Sequence, residues 1–178
     1  DTFSLIINLN RRENMDIKNI SSESKLLIKW SSVSTLIFTL DQWVKYWIVQ
    51  NLSLYERFSI NSFINITHQQ NSGAAFSILA DAGGWQRWFL SVLAIIVCVY
   101  IIHWLYQLRS KPQWFLAYGL SMVLGGAIGN VFDRIRLGYV IDYAQVLING
   151  WPFPSFNVAD AAITAGAVFI IIDAIIQR

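Results

Sequence analysis

The sequence predicts a helical membrane protein with four transmembrane helices and a small β element outside the membrane. Three observations support this fold class. First, 55% of the 178 residues are hydrophobic and only 13% are charged, whereas a soluble domain carries about 25% charged residues. Second, the mean hydropathy is +0.46. Third, the chain holds eight Trp and seven Tyr, whose amphipathic rings favour the two membrane interfaces.

The first predicted span runs from Leu26 to Leu52 and contains Asp41 and Lys45 in an otherwise apolar pattern. At a spacing of i, i+4 the two side chains share one helix face. Two interpretations remain open: a pair that only neutralises itself inside the span, or a pair that lies beside a polar site. Residues 1–24 are predicted to form a polar cytoplasmic tail, and the first fourteen, which precede Met15, are compatible with a leader.

Residues 53–86 are predicted to leave the hydrocarbon. From Arg57 onward this stretch mixes β-branched and aromatic residues with polar ones, which favours strand over helix. Ser72 then suits the N-cap of a short amphipathic helix over residues 73–82, and Gly83-Gly84 ends it. We expect this helix to lie on the membrane surface.

Two further spans are predicted in the middle of the chain. One is Trp88 to Leu108, which carries no formal charge, and the other begins with an uncharged run from Trp114 to Val131. Gly125 and Gly129 give the second of them a small-xxx-small spacing, which lets a neighbouring backbone approach closely. Close helix packing within one subunit is sufficient to explain that spacing.

The fourth span is predicted over Val158 to Ile176, after a second β segment. Asn149-Gly150 is a strong signal for a two-residue hairpin turn, so we expect a hairpin on the outer membrane surface. Asn157 suits the N-cap of the following helix, and Asp160 falls at its third position.

Four spans return both termini to one side of the membrane, and basic residues predict which side that is. With residues 1–14 left out, the terminal side carries six basic residues and the other side four: Lys18, Lys25, Lys29, Arg109, Lys111 and Arg178 against Arg57, Arg87, Arg134 and Arg136. The positive-inside rule therefore places both termini in the cytoplasm. The predicted organisation is a tail, residues 1–24, and one membrane-embedded domain, residues 25–178.

Asp142 and Asp160 suggest acid–base chemistry at the outward-facing side. One lies in a predicted strand and the other in the first turn of a helix, and such different environments can hold two carboxylates at different pKa values. The simpler interpretation is a helix cap and a surface strand residue with no shared role. Nearby, Asn130 precedes Asp133 and Arg134 by three and four residues, so it can share a helix face with either.

Several other chemistries have no support in the sequence. The single cysteine, Cys98, lies in an apolar run and is best explained as a small core residue. We find no Gly-rich phosphate loop, no HExxH, and no Ser or Cys nucleophile motif. No basic tract suggests nucleic acid. No metal site and no cofactor are predicted.

Five motifs in order resemble the bacterial lipoprotein signal peptidase family, also called signal peptidase II, from about Leu26 to Ile176. The matching stretches are DQWVK from Asp41, NSGAAFS from Asn71, GGAIGNVFDR from Gly125, VIDY from Val140 and FPSFNVAD from Phe153. The resemblance implies four transmembrane helices, a small extracytoplasmic β-cradle and a short surface helix. It also implies an aspartyl endopeptidase of the bacterial inner membrane, active at the outer leaflet interface, with no cofactor and no obligate protein partner.

The implied substrate is a prolipoprotein carrying a diacylglyceryl group, cut before its lipidated cysteine. The resemblance assigns residues to three roles. Asp142 and Asp160 correspond to the catalytic aspartates; Asn71, Gly126, Asn130, Arg134 and Asn157 correspond to residues lining the substrate site; Asp41, Lys45 and Asp133 correspond to a supporting polar shell.

Two alternatives use the same residues. A proton-coupled transporter or channel subunit would also need carboxylates within the membrane, although four spans without a detectable repeat are few for a carrier. A purely structural membrane anchor would leave the clustered Asp and Asn residues unexplained.

Overall fold

The computed structural model describes residues 2–73, 83–110 and 113–177, with side chains from residue 21 onward. The helices are α1 (Thr2–Asn51), α2 (Trp85–Leu108), α3 (Trp114–Leu137) and α4 (Val158–Ile176). The strands are β1 (Arg57–Ser59), β2 (Ile64–Asn71), β3 (Val140–Ile148) and β4 (Trp151–Pro152). The mostly helical fold with a small antiparallel sheet confirms these two parts of the predicted class.

The helix α3 is the centre of the bundle. It packs against α1, α2 and α4. In its most apolar 18-residue stretch 67% is buried, against 22% in the corresponding stretches of α2 and α4. Gly125 and Gly129 both face α1, where an added Cβ would lie 2.6 Å from the Ser34 carbonyl oxygen and 2.7 Å from the Asp41 carboxylate, respectively. The small-xxx-small spacing therefore serves helix packing inside one subunit, as predicted.

Three helices among the described residues, α2, α3 and α4, are long and apolar enough to cross a membrane. The helix α1 is not among them, because charged and hydroxyl-bearing residues interrupt its apolar run. The distribution of polar and apolar residues on α1 is nevertheless the inverse of that on a helix of a soluble protein. Its aromatic residues Trp43 and Tyr46 are exposed, while the charged residues Asp41 and Lys45 are buried.

The four strands form one antiparallel sheet in the order β1-β2-β3-β4. The strand β2 pairs with β3 although the paired residues are at least 69 positions apart in the chain, with Gln69 opposite Asp142 and Asn71 opposite Val140. Asn149 and Gly150 connect β3 to β4 with φ values of 50° and 81°. Positive φ at both positions is what a type I′ hairpin turn requires, so the predicted hairpin is confirmed.

Two helices begin earlier than the sequence predicts, and one predicted helix cannot be compared with the structure. The helix α1 begins at Thr2, so its backbone is helical through most of the segment predicted as a tail. The helix α2 begins at Trp85, three residues before the predicted start at Trp88. The predicted surface helix lies almost wholly at residues 74–82, outside the described residues.

Candidate active site

Asp142 lies in β3 and is almost completely buried, with 4% of its surface exposed. Both of its carboxylate oxygens accept hydrogen bonds from amide side chains. Asn157 Nδ2 donates to Oδ1 at 2.8 Å and Asn71 Nδ2 donates to Oδ2 at 3.0 Å. Asn71 reaches this position because β2 pairs with β3. The sheet therefore brings together two residues that are far apart in the chain.

Asp160 lies in the first turn of α4, in a complete capping box. Its main-chain N–H donates to Asn157 Oδ1 at 2.9 Å, and its own Oδ2 accepts from the main-chain N–H of Asn157 at 3.2 Å. The second oxygen, Oδ1, accepts from Asn130 Nδ2 at 2.8 Å. A carboxylate at this position complements the partially positive N-terminus of the helix.

Two amide side chains connect the aspartates. Asn130 in α3 donates to Asp160, and its own Oδ1 accepts from Asn157 Nδ2 at 3.2 Å. Asn157, which is 1% exposed, in turn donates to Asp142 and to the Ile141 carbonyl oxygen at 3.2 Å. Asp142 and Asp160 thus belong to one hydrogen-bonded network. A helix cap and a surface strand residue with no shared role would not be connected in this way.

A buried ion cluster lies next to this network. Lys45 Nζ contacts Asp41 Oδ2 at 2.8 Å, Asp133 Oδ2 at 2.9 Å and Asn130 Oδ1 at 3.0 Å. Gln42 Nε2 donates to Asp133 Oδ1 at 3.0 Å. The three donor positions of a lysine ammonium therefore each have an acceptor. Both interpretations of the Asp41–Lys45 pair hold, since it is neutralising and also adjoins the polar centre.

The same ion cluster fixes the two elements that carry the aspartates. Asp41 Oδ1 accepts from the main-chain N–H of Ala159, next to Asp160, at 2.9 Å. Asp133 Oδ2 accepts from the main-chain N–H of Ile141, next to Asp142, at 3.2 Å.

Arg134 lies one helical turn beyond Asn130. Its guanidinium donates to the Gly73 carbonyl oxygen at 2.9 Å and more weakly to the Asn130 carbonyl oxygen at 3.4 Å. Asp160 and Asp142 lie within electrostatic range of it. Its Nε is buried and has no hydrogen-bond partner among the described residues.

Burial raises the pKa of the Asp142 carboxyl from 3.8 to about 7, and the nearby Asp160 charge adds to that increase. The hydrogen bonds from Asn71 and Asn157 and the charge of Lys45 oppose it. Asp142 is therefore largely protonated just below neutral pH, beside a second carboxylate. Burial also raises the pKa of the Tyr143 phenol, whose oxygen accepts from the main-chain N–H of Val158 at 3.2 Å.

Of the ten residues selected from the sequence, nine lie in this connected polar region. Gly126 differs, because it lies at the contact between α3 and α4, where an added Cβ would meet the backbone of Ala159 and the side chain of Ile163. Sequence reasoning missed Gln42 and Gly129 as members of the site. Gln42 lies inside the DQWVK motif, which could have indicated its role. The spacing of Gly129 from Gly125 predicts helix packing and gives no sign of a contact with Asp41.

An apolar cavity of about 320 Å³ adjoins the polar centre. Side chains of α2, α3 and α4, including Leu93, Val97 and Ile163, form its wall. Asn130 and Arg134 also line it, so the cavity joins an apolar surface to the hydrogen-bonded carboxylates. Within the described ranges, no three His, Cys, Asp or Glu side chains are grouped so that they could hold a metal ion.

Three apolar helices around a buried centre of carboxylates, amides and one lysine indicate a membrane protein with a functional polar site, since such groups are costly inside a membrane without a function. The comparisons with known proteins identify the family. Residues 33–176 match the model of the signal peptidase (SPase) II family, and the chain belongs to that family.

Curated relatives agree with this assignment. The chain is 46% identical over 151 residues to the lipoprotein signal peptidase of Alteromonas mediterranea, covering 85% of this chain and 81% of that protein. It is 44% identical to the lipoprotein signal peptidase of Pseudoalteromonas atlantica, covering 87% and 93%. A transporter or channel subunit is not supported by these comparisons.

Two solved structures of bacterial membrane enzymes share the fold. One superimposes with a TM-score of 0.72 at 29% identity, covering 84% of this chain and 88% of that one. The other gives 0.68 at 30% identity, covering 81% and 90%. The chain is thus a peptidase of the signal peptidase II family.

Proposed function

We propose that this peptidase is of the aspartic type and that Asp142 and Asp160 form its catalytic dyad. The observation that carries the proposal is the single network in which Asn130 and Asn157 join the two carboxylates. Two nearby carboxylates that differ in protonation can act together as general acid and general base. The pKa of about 7 for Asp142 beside a carboxylate at a helix N-terminus supports such a difference.

The roles follow from these environments. Ionised Asp160 accepts a proton from a water molecule as the water oxygen attacks the scissile carbonyl carbon, and protonated Asp142 donates its proton to the carbonyl oxygen. The tetrahedral gem-diol then collapses. Asp160 donates its proton to the leaving amine nitrogen as the C–N bond breaks, and the hydroxyl proton of the diol returns to Asp142. Both carboxyls are back in their starting states after one turnover.

This cycle requires one proton on the pair. Turnover is lost when both carboxyls are protonated and again when both are ionised, so the pH–rate profile is bell-shaped. Its two pKa values are macroscopic properties of the pair.

The proposed substrate is a diacylglyceryl-modified prolipoprotein, cut before its lipidated cysteine. The apolar cavity lined at one end by Asn130 and Arg134 supports such a substrate, because an apolar segment can lie there while its polar backbone reaches the carboxylates. The Nε of Arg134, which has no hydrogen-bond partner among the residues that the structure describes, provides a donor beside that path. Asn71, Gly126, Asn130, Arg134 and Asn157 are the proposed substrate-lining residues.

Cleavage of a purified lipidated prolipoprotein tests the dyad. Asp142→Asn and Asp160→Asn should each abolish cleavage while helical content is kept, since Asn is close in shape but cannot exchange the proton. Glu56→Gln, at an exposed carboxylate that accepts from the Ser53 N–H, is the matched control and should cleave normally. Either Asn variant with near wild-type turnover would remove that residue from the mechanism.

We further propose that α1 is a fourth span, that both termini are cytoplasmic, and that the dyad faces the outer leaflet of the inner membrane. The inverted surface of α1 and the distribution of Lys and Arg support this. In a Cys98→Ala background, a cysteine at position 149 should react with an impermeant thiol reagent outside intact cells. A cysteine at position 110 should not. The reverse pattern would overturn the orientation.

A further inference from the structure

Lys45 does more than neutralise Asp41, because its third contact is with an uncharged residue. The ammonium is 1% exposed and donates to Asn130 Oδ1 at 3.0 Å, in addition to its two carboxylate partners. A lysine ammonium can only donate hydrogen bonds. It therefore requires the oxygen end of the Asn130 amide to face it.

The orientation of that amide determines whether Asp160 accepts a hydrogen bond from Asn130. With Oδ1 toward Lys45, the nitrogen end must point the opposite way, where it donates to Asp160 Oδ1 at 2.8 Å. A reversed amide would place its oxygen against the carboxylate and its N–H group against a cation. Asn157 is oriented independently, since its oxygen accepts from the main-chain N–H of Asp160. Its Nδ2 donates to the same Asn130 Oδ1 at 3.2 Å, so Lys45 and Asn157 both require the Asn130 oxygen to face them.

We propose that Lys45 is a positioning residue that holds the Asn130 amide with its N–H end toward Asp160 Oδ1, and so fixes the orientation of the carboxylate that acts as the general base. The inference rests on the proposed function of Asp160. Hydrogen bonds donated to a carboxylate favour its charged form. The ammonium itself touches neither Asp160 nor Asp142 in the described hydrogen bonds, and acts through Asn130.

Other charged groups also face Asp160. Asp142 approaches from β3, Arg134 from α3, and Asp41 and Asp133 accompany Lys45. A test must therefore change the amide orientation with little change in net charge. The pair of substitutions Lys45→Met and Asp41→Asn satisfies this condition, because it removes one positive and one negative charge together.

In that double variant we expect kcat to fall about tenfold to a hundredfold, as for the loss of one hydrogen bond to a charged group. We also expect the acidic limb of the pH–rate profile to move to higher pH, because the carboxyl pair loses a donated hydrogen bond that favours its charged form. A role in charge balance alone predicts wild-type kcat and an unchanged profile, because the double variant keeps the net charge of the cluster formed by Asp41, Lys45 and Asp133. Wild-type kcat with an unchanged profile would overturn the inference.

Asn130→Leu provides a second variant that keeps the net charge and leaves Lys45 its two carboxylate partners, and so does not depend on how the double variant folds. It removes the donor to Asp160, so kcat should fall and the acidic limb should again move to higher pH. A wild-type profile in this variant would also refute the proposal. Lys25→Met, at an exposed position on the same helix, should leave kcat unchanged. Wild-type protein and Asp160→Asn are assayed in parallel. If Asp160→Asn is inactive but the Lys45 and Asn130 variants behave as wild type, this inference fails and the dyad stands; if Asp160→Asn is active, the dyad itself fails.

Discussion

Asp160 and Asp173 lie near opposite ends of α4, and both accept a main-chain N–H at the start of a helix. Asp160 accepts from Asn157 within its own capping box, whereas Asp173 accepts from Leu116 in the first turn of α3 at 3.3 Å. Asp173 is buried, and its other described partner is Gln177. Asp160 additionally has Asn130 and a second carboxylate nearby. Helix capping is thus common to both, and only the neighbours of Asp160 provide for acid–base chemistry.

Substituting each of these aspartates with Asn should separate the two roles. Asp160→Asn should lower turnover about a thousandfold or more, because a general base is lost. Asp173→Asn should leave turnover per folded molecule nearly unchanged and reduce stability by about 1–3 kcal/mol through a weakened buried hydrogen bond. Cleavage assays and thermal unfolding in detergent measure both effects. A large loss of turnover in Asp173→Asn at normal stability would show that the two ends do not differ as proposed.

The ends of α3 offer a parallel contrast, with glycines as the probes. A Cβ on Gly129 would lie 2.7 Å from Asp41 Oδ2, and a Cβ on Gly119 would lie 2.7 Å from the Gly166 carbonyl oxygen. Both Ala substitutions should destabilise the bundle by about 1–3 kcal/mol, because each overpacks a close contact. Gly129→Ala should also lower turnover, since it displaces a partner of Lys45. Equal turnover in the two variants would argue against any link between the ion cluster and the dyad.

Local signals in the sequence predicted much of the end of the bundle that carries Asp142 and Asp160. Asn157 and Asp160 were recognisable because a capping box depends on residues three apart, and Asn149-Gly150 because a tight hairpin turn requires positive φ at both positions. The hydrogen bond from Asn71 to Asp142 depends on two strands that are far apart in the chain. Only the family resemblance indicated that both residues belong to one site. The place of Gln42 and Gly129 depends on how α1 crosses α3, which no local pattern encodes. The start of α1 also could not be predicted, because a polar helix carries no apolar periodicity.

Protonation gives a further contrast between the buried Asp142 and an ordinary aspartate. Its pKa of about 7 in the folded protein exceeds 3.8, so the folded state holds a proton that the unfolded chain releases above about pH 4. The stability from this group is therefore fully present below about pH 4 and is lost as pH rises through about 7. The difference of about three pKa units sets an upper bound of roughly 4 kcal/mol.

Asp142→Asn removes this titration and leaves the other carboxylates in place. Between pH 5 and pH 8, thermal unfolding of the wild type should therefore show a larger decrease in stability than unfolding of the variant. Equal pH dependence of the two proteins would contradict the raised pKa of Asp142.

The smallest expected effect is that of metal chelators. The proposed chemistry uses only Asp142, Asp160 and water, and the groups that orient them are amides, Lys45 and main-chain N–H groups. A catalytic zinc site needs three His, Cys or carboxylate ligands around one open position. Turnover after treatment with EDTA or 1,10-phenanthroline and gel filtration should therefore equal that of untreated enzyme. Because the pH–rate profile depends on the carboxyl pair alone, it should keep both limbs after the same treatment. Loss of turnover that zinc restores, with a change in the profile, would replace the carboxylate dyad with a metal-dependent mechanism at the same end of α4.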